Sequence, residues 1–140
     1  MAELNLEITS PDKVAFSGIV TSVTIPGTDG SFEVLVNHAP IISTFEIGTI
    51  KIVSNNSDIQ FWATAGGTIE VLNNKILILS DAIELIKDID VDRAKSAKER
   101  AEKRISEKEN KEIDVERAKA SLRRAENRLK LTDMYLKINI

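Results

Sequence analysis

Residues 89–105 read IDVDRAKSAKERAEKRI, and residues 113–129 return to nearly the same phrase as IDVERAKASLRRAENRL. In each copy small or aliphatic residues recur on one stripe: Ala94, Ala97, Ala101 and Ile105, then Val115, Ala118, Leu122, Ala125 and Leu129. A period near 3.6 is that of an amphipathic helix. Asp90 and Asp114 stand where an N-cap carboxylate accepts hydrogen bonds from the first free backbone amides. The polar stretch 106–112 between the copies has no stripe and reads as a turn. Two helices, at about 90–106 and 113–131, should therefore lie antiparallel.

Upstream the period changes to two. Leu4, Leu6 and Ile8 alternate with polar neighbours, and the same rhythm returns at Val23 and Ile25, Phe32 to Leu35, Ile50 to Val53, Ile59 to Ala65, Ile69 to Leu72 and Ile76 to Leu79. Alternation puts one face of a strand in a core. Ser17-Gly18, the run from Pro26 to Gly30, the run from Ser54 to Asp58, Gly66-Gly67 and Asn73-Asn74 read as the breaks between strands. Short strands at this spacing predict a sandwich or flattened barrel of roughly eight to ten strands. The fold class is α+β, with a β unit over 1–86 and a helical hairpin over 87–140.

Charge divides at the same place. The net charge is −3, but residues 1–86 hold three lysines against ten acidic residues, whereas 87–140 hold sixteen Lys and Arg against twelve Asp and Glu. The facing stripes of the hairpin are mostly alanine, which buries little apolar area for the chain entropy it costs to order. Such an arm is expected to dock in one state and release in another.

Composition narrows the chemistry. With no cysteine, disulfides, thiolate zinc sites and iron–sulfur clusters are excluded. With one histidine, His38, no histidine cluster can form. The phosphate-loop, dinucleotide-fold, nucleophile-elbow and zincin signatures are missing. Neither a run of about 20 apolar residues nor a secretory leader is present, so the expectation is a soluble, unprocessed, non-catalytic protein. His38 reads as a loop imidazole rather than a catalyst. Arg93, Arg100 and Arg104 share one stripe of the first helix, and Arg117, Arg124 and Arg128 one stripe of the second. Guanidinium groups so arranged could hold a polyphosphate; equally, they could form a solvated face paired with Glu99, Glu102, Glu116 and Glu126. A nucleic-acid-binding module using the basic hairpin is the alternative function. Against it, acids are interleaved throughout and Tyr135 is the arm's single aromatic residue.

The pieces SPDKVAFSG, VTIPGTDGSFEVLVNHAPII, GTIKI, TAGGTIEV, ILSDAIE and the twin IDVxRA phrases stand in the order seen in the epsilon subunit of bacterial F-type ATP synthases, which the chain resembles over nearly its whole length. The resemblance implies a ten-stranded β-sandwich followed by a two-helix hairpin. It implies a non-catalytic central-stalk subunit, peripheral to the cytoplasmic face of the bacterial inner membrane, that needs no cofactor and no nucleic acid. The sandwich would bind the gamma subunit and the c ring, the ring contact lying around Asp29, Gly30 and Ser31 and around His38, Ala39, Pro40, Ile41 and Ile42. The arm would extend toward the alpha and beta subunits and restrain ATP hydrolysis. Some members bind ATP as a regulatory ligand on the folded hairpin. By that resemblance Glu84 and Asp90 would meet the adenine and ribose side, and Arg93, Arg124 and Arg128 the phosphates. The doubled phrase thus has two explanations, a helix-packing repeat and a nucleotide clamp. One departure stands out: many members have Pro-Gly before His-Ala-Pro, and this chain has Val36-Asn37.

Overall fold

The computed structural model describes residues 3–106 and 115–138, and the chain divides into two compact units, Met1–Leu85 and Ile86–Ile140. The first unit contains seven strands: β1 (Leu4–Thr9), β2 (Val14–Ile25), β3 (Phe32–Val34), β4 (Ile41–Ser54), β5 (Ile59–Leu72), β6 (Lys75–Ser80) and β7 (Ile83–Leu85). Their order is β1-β6-β5-β4-β2-β3, with β7 beside β5 and β1 also paired to β2, which closes the sheet on itself as a flattened barrel. β1 is parallel to β6 and antiparallel to β2.

Seven strands replace the expected ten, in part because two strands run unbroken through positions that look like breaks. β2 continues across Ser17-Gly18: residues 14–20 pair with β1 and residues 20–25 with β4 and β3. Within β5, residues 62–64 pair with β7 and residues 67–72 with β6, while β4 accompanies both halves. Gly66-Gly67 is therefore a bend inside a strand and not a turn between two. Gly66 takes a φ of 103°, and a Cβ on Gly67 would lie 2.0 Å from the Leu79 carbonyl oxygen. Glycine at these positions lets two backbones approach where any side chain would intrude.

The bend is held by buried hydroxyls. Gly66 N–H donates to Thr64 Oγ1 (3.2 Å), Thr64 Oγ1 and Ser80 Oγ are 2.8 Å apart, and Ser80 Oγ donates to the Ala82 carbonyl (2.8 Å). Thr64 and Ser80 are both buried; with the Ser80 proton on the Ala82 carbonyl, Ser80 Oγ is the acceptor that satisfies the Thr64 hydroxyl.

Inward positions alternate as the period predicts: Leu4, Leu6 and Ile8; Ile50 and Ile52; Ile69 and Val71; Ile76 and Ile78 are all buried in one cluster. In β2 both Val20 and Val23 face inward although they are three residues apart, because the register shifts between Val20 and Ser22. A bulge of this kind inserts one residue and restores the pleat. Phe16 meets Trp62 edge to face, with centroids 6.5 Å apart.

The second unit is a 3-10 turn, Ile86–Asp88, then α1 (Val91–Ser106) and α2 (Val115–Ile138). α2 runs past the expected end near residue 131. Ser106, the first residue of the expected turn at 106–112, is the last of α1; the rest of that expected turn and the expected Asp114 cap lie outside the described residues. The two helices pack along Ala94 and Ala101 on one side and Ala118 and Ala125 on the other, all buried. Each pair is seven residues apart, almost two full turns, so both alanines return to the same face. Leu122 and Leu129 are only half-buried, whereas Leu131, off the predicted stripe, is buried.

Candidate functional site

The residues singled out in the sequence fall into two groups: the loops on either side of β3, and polar side chains that lie, apart from Glu84, in the helical unit. In the first, Pro26 to Ser31 form a tight turn in which Gly30 N–H donates to the Gly27 carbonyl (3.1 Å), leaving Asp29, Gly30 and Ser31 exposed. A Cβ on Gly27 would be 2.6 Å from the Gly30 carbonyl oxygen. The second loop folds back when His38 N–H donates to the Leu35 carbonyl (3.2 Å). Its third residue, Asn37, has a φ of 65°. A turn with positive φ at the third position takes Gly or Asn there. Val36-Asn37, the departure noted from the Pro-Gly that the resemblance implies for many members, therefore still makes a turn of this kind.

His38 is half-buried, and its Nδ1 lies 2.7 Å from the Ala39 carbonyl oxygen. A carbonyl only accepts, so Nδ1 carries the proton and the ring is pinned to the loop. That is a structural imidazole. Beyond it, Ala39 and Pro40 are exposed, Ile41 turns toward the core, and Ile42 is 79% exposed. Leu35, Val36 and Leu72 are exposed as well. A shallow cleft of about 370 Å³ is lined by Pro40, Ile41, Ile42, Glu70, Val71 and Leu72. Ile42 and Leu72 line this cleft together, and it is such grouping, rather than one exposed residue, that distinguishes an apolar patch from ordinary surface.

In the helical unit, Asp90 Oδ1 accepts the Arg93 backbone N–H at 3.1 Å, and the Asp90 carbonyl accepts the Ala94 N–H at 3.0 Å. Asp90 is an N-cap, as the sequence implies. Replacing it with alanine should cost α1 about 1 kcal/mol, read as faster amide exchange confined to its first turn; loss spread along the whole helix would contradict a local cap. Arg93 stays exposed. On α2, Arg124 and Arg128 stand one turn apart and are half-buried, and Arg124 Nη2 donates to Ser121 Oγ (3.0 Å). Arg100, Arg104 and Arg117 are exposed. The six arginines are therefore not equivalent: only Arg124 and Arg128 are tucked along their helix. Glu84 belongs to the other unit, half-buried in β7 opposite Ala63. An ion pair joins Lys119 to Glu116 (3.8 Å), i to i+3. Among the described residues no cluster of His, Asp or Glu suits a metal, and no helix is long and apolar enough to cross a membrane.

Sequence reasoning missed Asn74. Its only signal was the Asn-Asn turn, which gives no hint that the side chain reaches the loop at Asn37.

The two units coincide with two family profiles. The β-sandwich domain of the ATP synthase Delta/Epsilon chain matches residues 3–86, and the long α-helix domain of the same chain matches residues 87–133. The ATP synthase epsilon chain of Salinibacter ruber is 40% identical over 113 residues, covering 75% of this chain and 76% of the relative. That of Caldicellulosiruptor bescii is 43% identical over 111 residues, 77% and 78% of the two chains. Among solved structures, a chain of the Euglena gracilis mitochondrial ATP synthase (OSCP/F1/c-ring, rotational state 1) superposes with a TM-score of 0.78 over 91% of this chain and 79% of that one. At 19% identity that likeness speaks for the fold alone. The chain belongs to the ATP synthase epsilon-chain family. Epsilon chains are non-catalytic subunits of the central stalk of the F-type synthase.

Proposed function

We propose that this chain is the stalk subunit that joins the gamma subunit to the c ring through its β unit, and that its helical unit is an arm regulating hydrolysis. The observation that carries this reading is the match of both family profiles, in order, to the two units. The ring contact uses the exposed loops at Asp29 to Ser31 and His38 to Ile42. The synthase so served translocates protons or sodium ions. The complex holds the chain peripherally at the cytoplasmic face of the bacterial membrane.

When extended toward the alpha and beta subunits, the arm obstructs hydrolytic rotation. Its excess of basic residues, sixteen against twelve acidic, favours attraction to acidic elements there. ATP holds the helical hairpin folded, with Asp90 hydrogen-bonding the adenine and ribose side and Arg93, Arg124 and Arg128 meeting the phosphates. Asp90 can serve as both cap and ligand, since a carboxylate accepts several hydrogen bonds. Ligand at ten times its dissociation constant shifts the balance by about 1.4 kcal/mol, a tenfold change. Such a shift matters only if folded and extended arms are already close in free energy, which an alanine seam favours.

The test is an ATP titration of the isolated protein followed by amide NMR, with GTP and an Arg124→Ala/Arg128→Ala variant as controls. Saturable shifts between Glu84 and Arg128, weakened at least about tenfold in the variant, are expected. Silence at millimolar ATP would leave a stalk subunit whose arm answers to protein partners alone.

A further inference from the structure

The loop between β3 and β4 lies outside every strand, yet it carries the exposed Leu35 and Val36 and leads into the exposed Ile42. Asn37 N–H donates to Asn74 Oδ1 at 2.6 Å, and Asn74 Nδ2 donates to Asn37 Oδ1 at 3.3 Å. The amide orientation follows from chemistry. A backbone N–H can only donate, so the atom facing it is the Asn74 oxygen, and the Asn74 NH₂ is then left to face the Asn37 oxygen.

Asn74 is itself held firmly. Asn73 and Asn74 have φ values of 49° and 63°, the two consecutive left-handed residues of a tight hairpin between Leu72 and Lys75. The Asn74 carbonyl also accepts the Asn5 N–H (2.9 Å) at the start of β1. One residue therefore fastens the β5–β6 hairpin, the edge of β1 and the free loop together. The loop end of the bond is equally specific: the turn's own i to i+3 hydrogen bond belongs to His38, and the Asn37 N–H is given to Asn74 instead.

We propose that Asn37 and Asn74 form a clasp that holds the β3–β4 loop in the conformation that docks on the c ring, with Asn74 as a positioning residue that itself touches no partner. What the clasp is for rests on the ring contact proposed above. A loop ordered before docking gives up less freedom on binding and so dissociates more slowly.

Asn74→Gly separates the clasp from the turn, because glycine accepts the left-handed φ of position 74 and keeps the backbone bond to Asn5. In the full chain, hydrogen exchange at the Asn37 amide should rise about tenfold, with exchange in the β5–β6 ladder unchanged. Asn74→Asp keeps the acceptor for the Asn37 N–H, loses the donor, and should fall between the two. In pull-down of the chain with gamma and the c ring, Asn74→Gly should dissociate several-fold faster. Ile42→Asp, an exposed change within the ring-contact segment, serves as reference. Unchanged exchange at Asn37 overturns the clasp. Faster exchange with unchanged dissociation overturns its docking role if Ile42→Asp still weakens capture. If Ile42→Asp is also captured normally, it is the ring contact that fails.

Discussion

Replacing Gly67 with alanine is expected to unfold the β unit or lower its stability by at least about 3 kcal/mol. The added Cβ would sit 2.0 Å from the Leu79 carbonyl oxygen and 3.0 Å from its carbonyl carbon. Both are backbone atoms of β6, directly across the ladder that pairs Gly67 with Ser80 and Thr68 with Leu79. Neither can rotate aside as a side chain would. Relief requires the strands to part, and the same stretch carries the hydroxyl chain from Thr64 through Ser80 to Ala82. Parting would strand those buried groups as well, which adds the cost of unsatisfied polar atoms. For a domain of this size the melting temperature should fall by more than about 10 °C. Gly18→Ala is the internal control, because its Cβ meets only the Phe16 ring at 3.6 Å, an ordinary contact. Equal losses in the two variants, followed by thermal circular dichroism, would show that close approach at Gly67 is not what makes the site special.

The same glycine marks where the sequence misleads. Alternation at Leu4, Leu6 and Ile8, or at Ile76 and Ile78, is a local record of which face is buried, and those residues are indeed core. The change of period at Asp90 likewise foretells the helices, because helix capping is decided within one turn of chain. Gly66-Gly67 has no such local reading. Paired glycines serve a turn and a bent strand equally well, and only the neighbouring strand, β6, makes the difference. Two such continuities, in β2 and β5, account for part of the difference between the ten expected strands and the seven found. Asn74 was hidden for a related reason. Its partner, Asn37, is 37 residues away, and no periodicity links them. The arginine stripes were legible as stripes, yet spacing treats Arg93, Arg100 and Arg124 alike. Packing distinguishes them, with Arg124 turned along its helix onto Ser121.

Ala125→Leu should open the helical hairpin without disturbing the β unit. Ala125 is wholly buried, and Ala94, Ala101 and Ala118 leave no more than 3% of their surfaces exposed. A seam of methyl groups has no slack for three more carbons, and overpacking of this kind costs about 1–3 kcal/mol. Leucine is nonetheless a strong helix former, so α2 itself should persist while its contact with α1 is lost. If the folded and extended arms are nearly balanced, the ratio between them moves roughly ten- to hundredfold toward extension. In the assembled synthase that shift should depress ATP hydrolysis, whereas a chain ending at Asp88, which has no arm to extend, should raise it. The opposite signs give the experiment its force, since a merely damaged arm and a missing arm would otherwise look alike. If hydrolysis rises with Ala125→Leu as it does with the truncated chain, the folded hairpin is the inhibitory form and the proposed direction of the switch is reversed. If Ala125→Leu leaves hydrolysis unchanged although NMR shows the hairpin open, the alanine seam does not set the arm's position in the complex, and contacts with the neighbouring subunits do.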